Sequence, residues 1–152
     1  MNAAAALLPL GAATGVGFGS ALVPFLNAET YAVVAAGSAP GLAVALALAA
    51  GQTAGKLVLF ESARRGSKRW APRDESSRRA RWTARVRPWL TSPRTGPPVV
   101  LLSATLGLPP LAVVSLAAGA CGQRRGLFAV LVLTGRAVRF TAIVLPAAQL
   151  LG

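Results

Sequence analysis

Four long apolar stretches constrain the fold of this chain more than any other feature of its sequence. A helix that crosses a membrane needs about 20 consecutive apolar residues, and the stretches 40–60 and 126–151 each reach that length without interruption. The stretches 3–37 and 97–120 each contain proline near the middle, where a missing backbone donor and a clash with the preceding turn break a helix. The pattern therefore predicts two transmembrane helices and two broken apolar segments.

Each half of the second broken segment is about half as long as a membrane span. Residues 97–106 number ten, which makes about 15 Å of helix, half of a hydrocarbon core about 30 Å thick. The sequence GLPP follows at 107–110, and 111–120 supplies ten more residues. In the first segment, VPFLNAE at 23–29 makes the interruption. We predict that both segments are re-entrant helical hairpins, and a kinked full span stays open for 3–37.

Positive charge is concentrated in the middle of the chain. The sequence has 16 Lys and Arg against four acids, and twelve of these bases lie between Lys56 and Arg94. Only 13% of residues are charged and the mean hydropathy is +0.57, whereas a soluble domain is about one quarter charged. A basic block between apolar stretches predicts a cytoplasmic connector by the positive-inside rule. We therefore expect a multi-pass membrane protein with no nucleic-acid partner.

The two basic connectors favour the hairpin interpretation of 97–120. Connector 61–96 has eleven Lys and Arg, and the short connector GQRRG at 122–126 adds Arg124 and Arg125. A single crossing by 97–120 would place these two arginines outside, whereas a hairpin keeps both connectors on the cytoplasmic side.

The connector 61–96 is predicted to have two parts. SARRGSKRWAPR at 62–73 is loop-like, and 74–90 reads as an amphipathic helix with Asp74 as a plausible N-cap. Interleaved arginine and tryptophan are typical of a helix lying on anionic lipid, and a solvated loop is the alternative. The predicted lipid-surface residues are Arg78, Arg79, Arg81, Trp82, Arg85 and Trp89.

The composition argues against an enzyme. The chain has no histidine, one cysteine and only four acids, so neither an ordinary metal site nor a Ser-His-Asp or Cys-His apparatus can be assembled from one copy. We expect no catalytic residue, no metal and no cofactor.

Two arginines lie inside the last apolar stretch. Arg136 is about ten residues from its start, or about 15 Å, near the bilayer midplane, where a charge costs at least about 2.5 kcal/mol and needs a partner. Glu29 is the only acid inside an apolar stretch, so positive charge is in excess and an anionic ligand, with phosphate as the best match to guanidinium, is indicated. A purely structural pair, or arginines that snorkel, is the alternative. The predicted substrate or ion-binding residues are Glu29, Arg136, Arg139, Asn27 and Lys56.

Smaller features suggest local roles. Glu29 is placed to cap a half-helix that begins near Thr30, and Gln52 and Thr53 are placed to hydrogen bond to a neighbouring helix. Glycines at spacings of four predict faces of close helix packing; they are Gly11, Gly15 and Gly19, and separately Gly51 and Gly55.

An internal repeat occurs at an offset of 80 residues. GKLVLF at 55–60 aligns with GRAVRF at 135–140, and each half of the chain is a broken segment followed by a long span that contains the motif. With the basic connector inside, the two broken segments start on opposite sides, which is the inverted-topology arrangement of many transporters.

Taken together, the sequence resembles the DedA superfamily, also called SNARE-associated Golgi or VTT-domain proteins, in its small YqaA-like bacterial branch. The resemblance is carried in order by PFLNAE and AVVAAG within 24–37, GQTAG at 51–55, LAAG at 116–119 and LTGRAVRF at 133–140. It implies an all-helical fold with two opposed re-entrant hairpins in the bacterial cytoplasmic (inner) membrane, with Glu29 as the acid of the first hairpin. It also implies membership of a group linked to lipid-carrier recycling, phospholipid scrambling and proton-coupled transport. Larger members carry arginines around the proline of the second hairpin, and SATLGLPPLAVV here has none.

These expectations leave two classes of function. The first is a small transporter or flippase of an anionic, phosphate-bearing lipid, or a membrane-homeostasis factor. The alternative is a noncatalytic membrane scaffold whose basic connector binds anionic phospholipid headgroups or partner proteins. Oligomeric state is left open, a homo-oligomer included.

Overall fold

The computed structural model describes residues 3–23, 27–36, 40–69 and 78–151. The described chain is all-helical, and two of its helices, over Gly41–Gly66 and Arg125–Leu150, are long and apolar enough to cross a membrane. The helices are α1 (Ala3–Leu22), α2 (Ala28–Ala35), α3 (Gly41–Arg69), α4 (Arg78–Thr91), α5 (Gly96–Leu106), α6 (Leu111–Ala120) and α7 (Arg125–Leu151).

The first broken segment consists of α1 and α2. Helix α1 ends at Leu22, two residues before the proline at position 24, and α2 begins at Ala28. The break therefore falls within the predicted interruption VPFLNAE. The prediction that the second half-helix begins near Thr30 with Glu29 as its cap was wrong, because the side chain of Asn27 caps the helix and starts it at Ala28.

The second broken segment consists of α5 and α6, which pack against each other. Gly107 ends α5 in the left-handed conformation, with φ of 83°, and its N–H donates to the Ser103 carbonyl. The buried Ser103 hydroxyl donates to the Pro109 carbonyl at 2.5 Å. These bonds satisfy polar groups where GLPP interrupts the helix, which is where the proline pattern predicts it.

Helix α3 is longer than the predicted span. The stretch 62–73 was predicted as loop-like, and this was wrong for 62–69, because α3 continues to Arg69. Glu61 lies 3.8 Å from Arg64 and 3.8 Å from Arg65, one helical turn further along, and such pairs stabilise a helix. These local pairs explain why the helix outlasts the apolar stretch.

The described chain divides into two compact units, Met1–Gly55 with Leu133–Gly152 and Lys56–Val132. In the first unit, α1 and α3 approach closely at glycines. A Cβ atom added at Gly17 would lie 2.5 Å from the Leu48 carbonyl oxygen, and one at Gly51 would overlap the Thr14 carbonyl. The predicted packing role of Gly51 and Gly55 fits this approach. For Gly11 and Gly15 it was wrong, because nothing lies within 4 Å of an added Cβ there.

The second unit has its own core around stacked phenylalanines. The rings of Phe60 and Phe128 lie 4.7 Å apart, and a Cβ added at Gly119 would overlap the Phe60 carbonyl. Glu61 contacts Arg125 at 3.6 Å between Oε1 and Nε. Phe60 and Phe140, the last residues of the two GxxVxF copies, are both fully buried, one in the core of each unit.

Cys121 ends α6 and is buried. Burial raises the pKa of its thiol above the ordinary 9.0, and Arg87 opposes this more weakly. We therefore expect maleimide to modify the folded protein at least about tenfold more slowly than the unfolded chain at pH 7. The contribution of this thiol to the stability of the folded state should be lost as the pH rises above 9.0, because the unfolded thiol ionises first. Equal modification rates in the presence and absence of denaturant would contradict the burial.

Helix α4 begins four residues after the predicted start at Asp74, which lies outside the described residues. The side chains of Arg78, Arg79 and Trp82 also lie outside them. Leu90 is buried in the core of the second unit and fixes the end of α4 there.

Candidate functional site

Helix α2 positions the carboxylate of Glu29. The Asn27 side-chain oxygen accepts hydrogen bonds from the backbone N–H of Glu29 at 3.0 Å and of Thr30 at 3.4 Å. Glu29 therefore lies in the first turn of α2, where the positive end of the helix dipole favours a carboxylate. Ala28 and Ala32 are buried, so the helix is held against the core while Glu29 projects from it, partly buried.

Arg139 on α7 binds this carboxylate. Its Nε donates to Glu29 Oε1 at 2.8 Å, and its Nη2 contacts the same oxygen. The pair joins residues 110 positions apart in the sequence. Charge-assisted pairs of this kind are stronger than neutral hydrogen bonds, so Glu29 fastens the first broken segment to the second half of α7.

Arg136 lies one turn earlier on α7 and has no comparable partner. Its Nε is buried and has no hydrogen-bond acceptor among the described residues. It lies within electrostatic range of both Arg139 and Glu29. Arg139 therefore binds the carboxylate while Arg136 only lies near it, and the cluster Glu29/Arg136/Arg139 carries a net charge of +1. This geometry leaves a donor group available for an additional anion.

The predicted site residues thus have different positions. Glu29, Arg136 and Arg139 come together in the first unit, and Asn27 serves there as a helix cap. Lys56, which was predicted as a further residue of this site, belongs to the second unit and is 6% exposed.

Gln52 and Gln123 are polar side chains whose burial the sequence did not predict. Gln52 donates to the Ser20 hydroxyl at 2.8 Å, which confirms the expected bond to a neighbouring helix, whereas Thr53 donates to the Ala49 carbonyl of its own helix. Gln123 is buried, and neither atom of its amide has a partner among the described residues. A Gly at 122 directly after an apolar helix is the one sequence signal that places Gln123 at a helix end.

The described part of α4 presents a basic surface. Arg81, Arg85 and Trp89 follow the spacing i, i+4, i+8 and are exposed, with Trp89 63% exposed. This spacing places all three on one face of the helix. The exposed face therefore combines two guanidinium groups with an indole.

These observations define the protein as all-helical, with two helices able to cross a membrane and a cationic cluster built around one carboxylate. No known protein family, no curated protein and no solved structure matches the chain. Its function must therefore be argued from the site.

Proposed function

We propose that this chain is a small membrane transporter or flippase-like protein that binds the phosphate group of an anionic lipid at Glu29, Arg136 and Arg139. The observation that carries the proposal is Arg136, whose buried Nε has no acceptor among the described residues although a carboxylate lies nearby. A buried donor without a partner costs about 1–3 kcal/mol, and an anionic ligand would satisfy it.

The two arginines then have different roles. Both donor atoms that Arg139 directs at Glu29 contact Oε1, so its guanidinium is engaged by the protein. Arg136 is left to bind a phosphate oxygen pair in the bidentate geometry that guanidinium favours. Glu29 orients Arg139 and reduces the repulsion between the two arginines, which would otherwise be uncompensated in an apolar helix.

The composition of the two units supports the transporter interpretation. The first unit combines α1 and α2 with α3 up to Gly55 and α7 from Leu133. The second unit combines α4, α5 and α6 with the remaining part of each long helix. In an inverted repeat, each compact unit is expected to contain parts of the long helix of both repeats. Transporters of that class place their sites among broken helices. The re-entrant placement of both broken segments in a membrane belongs to this proposal, as does the resemblance to the DedA superfamily.

The exposed face of α4 supports a second candidate, a noncatalytic scaffold. Arg81 and Arg85 would bind anionic headgroups while Trp89 sits at the level of the headgroups. In that case the surface charges would matter and the charges on α7 would not.

The deciding experiment measures lipid movement in reconstituted vesicles. We expect the wild-type protein to accelerate the exchange of a fluorescent phosphatidylglycerol between leaflets, with a smaller effect on phosphatidylcholine. Arg136→Gln should reduce the accelerated rate about tenfold to a hundredfold, because a charge-assisted contact is worth about 1.5–3 kcal/mol. The change keeps a hydrogen-bond donor and removes the charge.

Arg65→Gln is the matched control, because it removes the same charge from a side chain that is 81% exposed. It should leave the rate unchanged. Wild-type rates in Arg136→Gln would reject the transport site. Weaker capture of separate phosphatidylglycerol vesicles by the nanodisc-embedded double variant Arg81→Gln/Arg85→Gln than by the wild type, with no lipid movement by any protein, would instead support the scaffold.

A further inference from the structure

A separate cavity lies in the second unit, where the ends of α4 and α6 meet the starts of α5 and α7. Its volume is about 210 Å³, and it is lined by residues that include Thr91, Ser92, Pro97, Gln123, Arg124 and Leu127. Sites for whole drug-sized ligands measure about 300–1,000 Å³. The cavity therefore suits a headgroup or a small phosphoester.

The end of α6 explains how Gln123 comes to line this cavity. Gly122 adopts φ of 77°, its N–H donates to the Gly119 carbonyl at 3.1 Å, and the Gln123 N–H donates to the Ala118 carbonyl at 3.0 Å. This is a Schellman motif, in which the residue after the left-handed glycine commonly makes a hydrophobic contact with the last turn. Here a polar side chain occupies that position.

Gln123, which lines this cavity, has an unsatisfied amide. The residue is 6% exposed, and both its Nε2 and its Oε1 lack hydrogen-bond partners among the described residues. A buried amide needs both an acceptor and a donor to satisfy it. A leucine at this position would make the hydrophobic contact of the Schellman motif without burying an unsatisfied amide. The presence of glutamine instead points to a ligand.

The surroundings select an anion. Arg124 lines the cavity, and the first turn of α7, with its unpaired N–H groups and positive dipole end, starts at the next residue. Carbonyls at the end of α4 are already engaged, because the Trp89 carbonyl accepts from the Thr95 hydroxyl and the Pro88 carbonyl accepts from the Ser92 N–H. No carboxylate lines the cavity within the part of the chain that the structure describes.

We propose that this cavity binds a small phosphoester whose alcohol part carries a free hydroxyl, through the Gln123 amide and the Arg124 guanidinium. The phosphate accepts from Gln123 Nε2 and from Arg124, and the hydroxyl donates to Gln123 Oε1. Glycerol phosphate has this chemistry both as a free molecule and as the headgroup of phosphatidylglycerol. The site is independent of Glu29, Arg136 and Arg139, so the failure of either proposal leaves the other standing.

The test measures binding of glycerol 3-phosphate to the full-length protein in a neutral detergent, by ligand-induced thermal stabilisation. Gln123→Leu should weaken binding about tenfold to a hundredfold without lowering the stability of the unliganded protein. Gln149→Leu makes the same change at an exposed position and should bind like the wild type. All proteins compared in this test carry Arg136→Gln, so that the phosphate site proposed at Arg136 does not contribute to the binding that is measured. Continued protection of Cys121 from maleimide verifies that Gln123→Leu is folded.

A second arm separates the two sources of the ligand. Protein purified from phosphatidylglycerol nanodiscs is examined by native mass spectrometry, with phosphatidylcholine nanodiscs as the control. In the same Arg136→Gln background, retention of phosphatidylglycerol by protein that keeps Gln123 but not by Gln123→Leu identifies a lipid headgroup, and binding of glycerol 3-phosphate alone identifies a soluble phosphoester. Either result supports the site. Absence of both, or equal binding by Gln123→Leu and wild type, overturns it.

Discussion

Replacing Arg139 by glutamine should destabilise the protein by about 1–3 kcal/mol, whereas replacing Arg136 by glutamine should leave its stability unchanged or raise it. Arg139 is bound to Glu29, and breaking a fully buried pair costs about 3–5 kcal/mol. The smaller figure applies because the Glu29 side chain is 44% exposed and that of Arg139 is 26% exposed. Arg136 has a buried donor without an acceptor among the described residues, so its removal relieves a cost.

The measurement is reversible unfolding in mixed micelles, followed by circular dichroism, for a double-mutant cycle of Glu29→Gln and Arg139→Gln. A direct pair should give a coupling free energy of about 0.5–3 kcal/mol. The corresponding cycle of Glu29→Gln and Arg136→Gln should give a smaller coupling. If Arg136 couples to Glu29 as strongly as Arg139 does, both arginines serve the carboxylate and the ligand role assigned to Arg136 fails.

Replacing Gly51 by alanine should destabilise the first unit by about 1–3 kcal/mol, the usual cost of overpacking. The added methyl group would overlap the Thr14 carbonyl and lie 2.9 Å from the Phe18 nitrogen. These are backbone atoms of α1, so they move only if the whole helix shifts. Gly51 therefore permits the contact between α1 and α3.

Gly15→Ala is the matched control, because it makes the same change in α1 where nothing lies within 4 Å of the new Cβ. It should stabilise the helix by about 0.5–1 kcal/mol, the usual gain of alanine over glycine in a helix. Opposite signs for the two variants in the same unfolding experiment are the expected result. A neutral Gly51→Ala would show that α1 and α3 are further apart than the structure has them.

Helix positions could be predicted well where local chemistry decides them. Both breaks fall at the predicted prolines, and the two long apolar helices occur where length and hydropathy place them. The extension of α3 through 61–69 could not be predicted from hydropathy, because it depends on the pairing of Glu61 with Arg64 and Arg65. Polar pairs along a helix substitute there for an apolar face.

The glycine faces show a different limit. A spacing of four identified Gly11 and Gly15, but the close contact of α1 is made at Gly17. Several small residues line several faces of α1, so periodicity alone does not say which face meets α3. The partner helix selects it, and the partner is known only once the fold is known.

The sequence by itself determined that the chain is helical, where its apolar helices break, and that a lone acid must be shared by a surplus of basic residues. These follow from hydropathy, from the missing N–H of proline and from a count of charges. Tertiary structure decided that Arg139 binds Glu29 and that Arg136 does not, because the two residues are of the same type and differ only in what packs against them. It also decided that Gln123 lies buried in a cavity, since burial depends on the neighbours that distant parts of the chain supply.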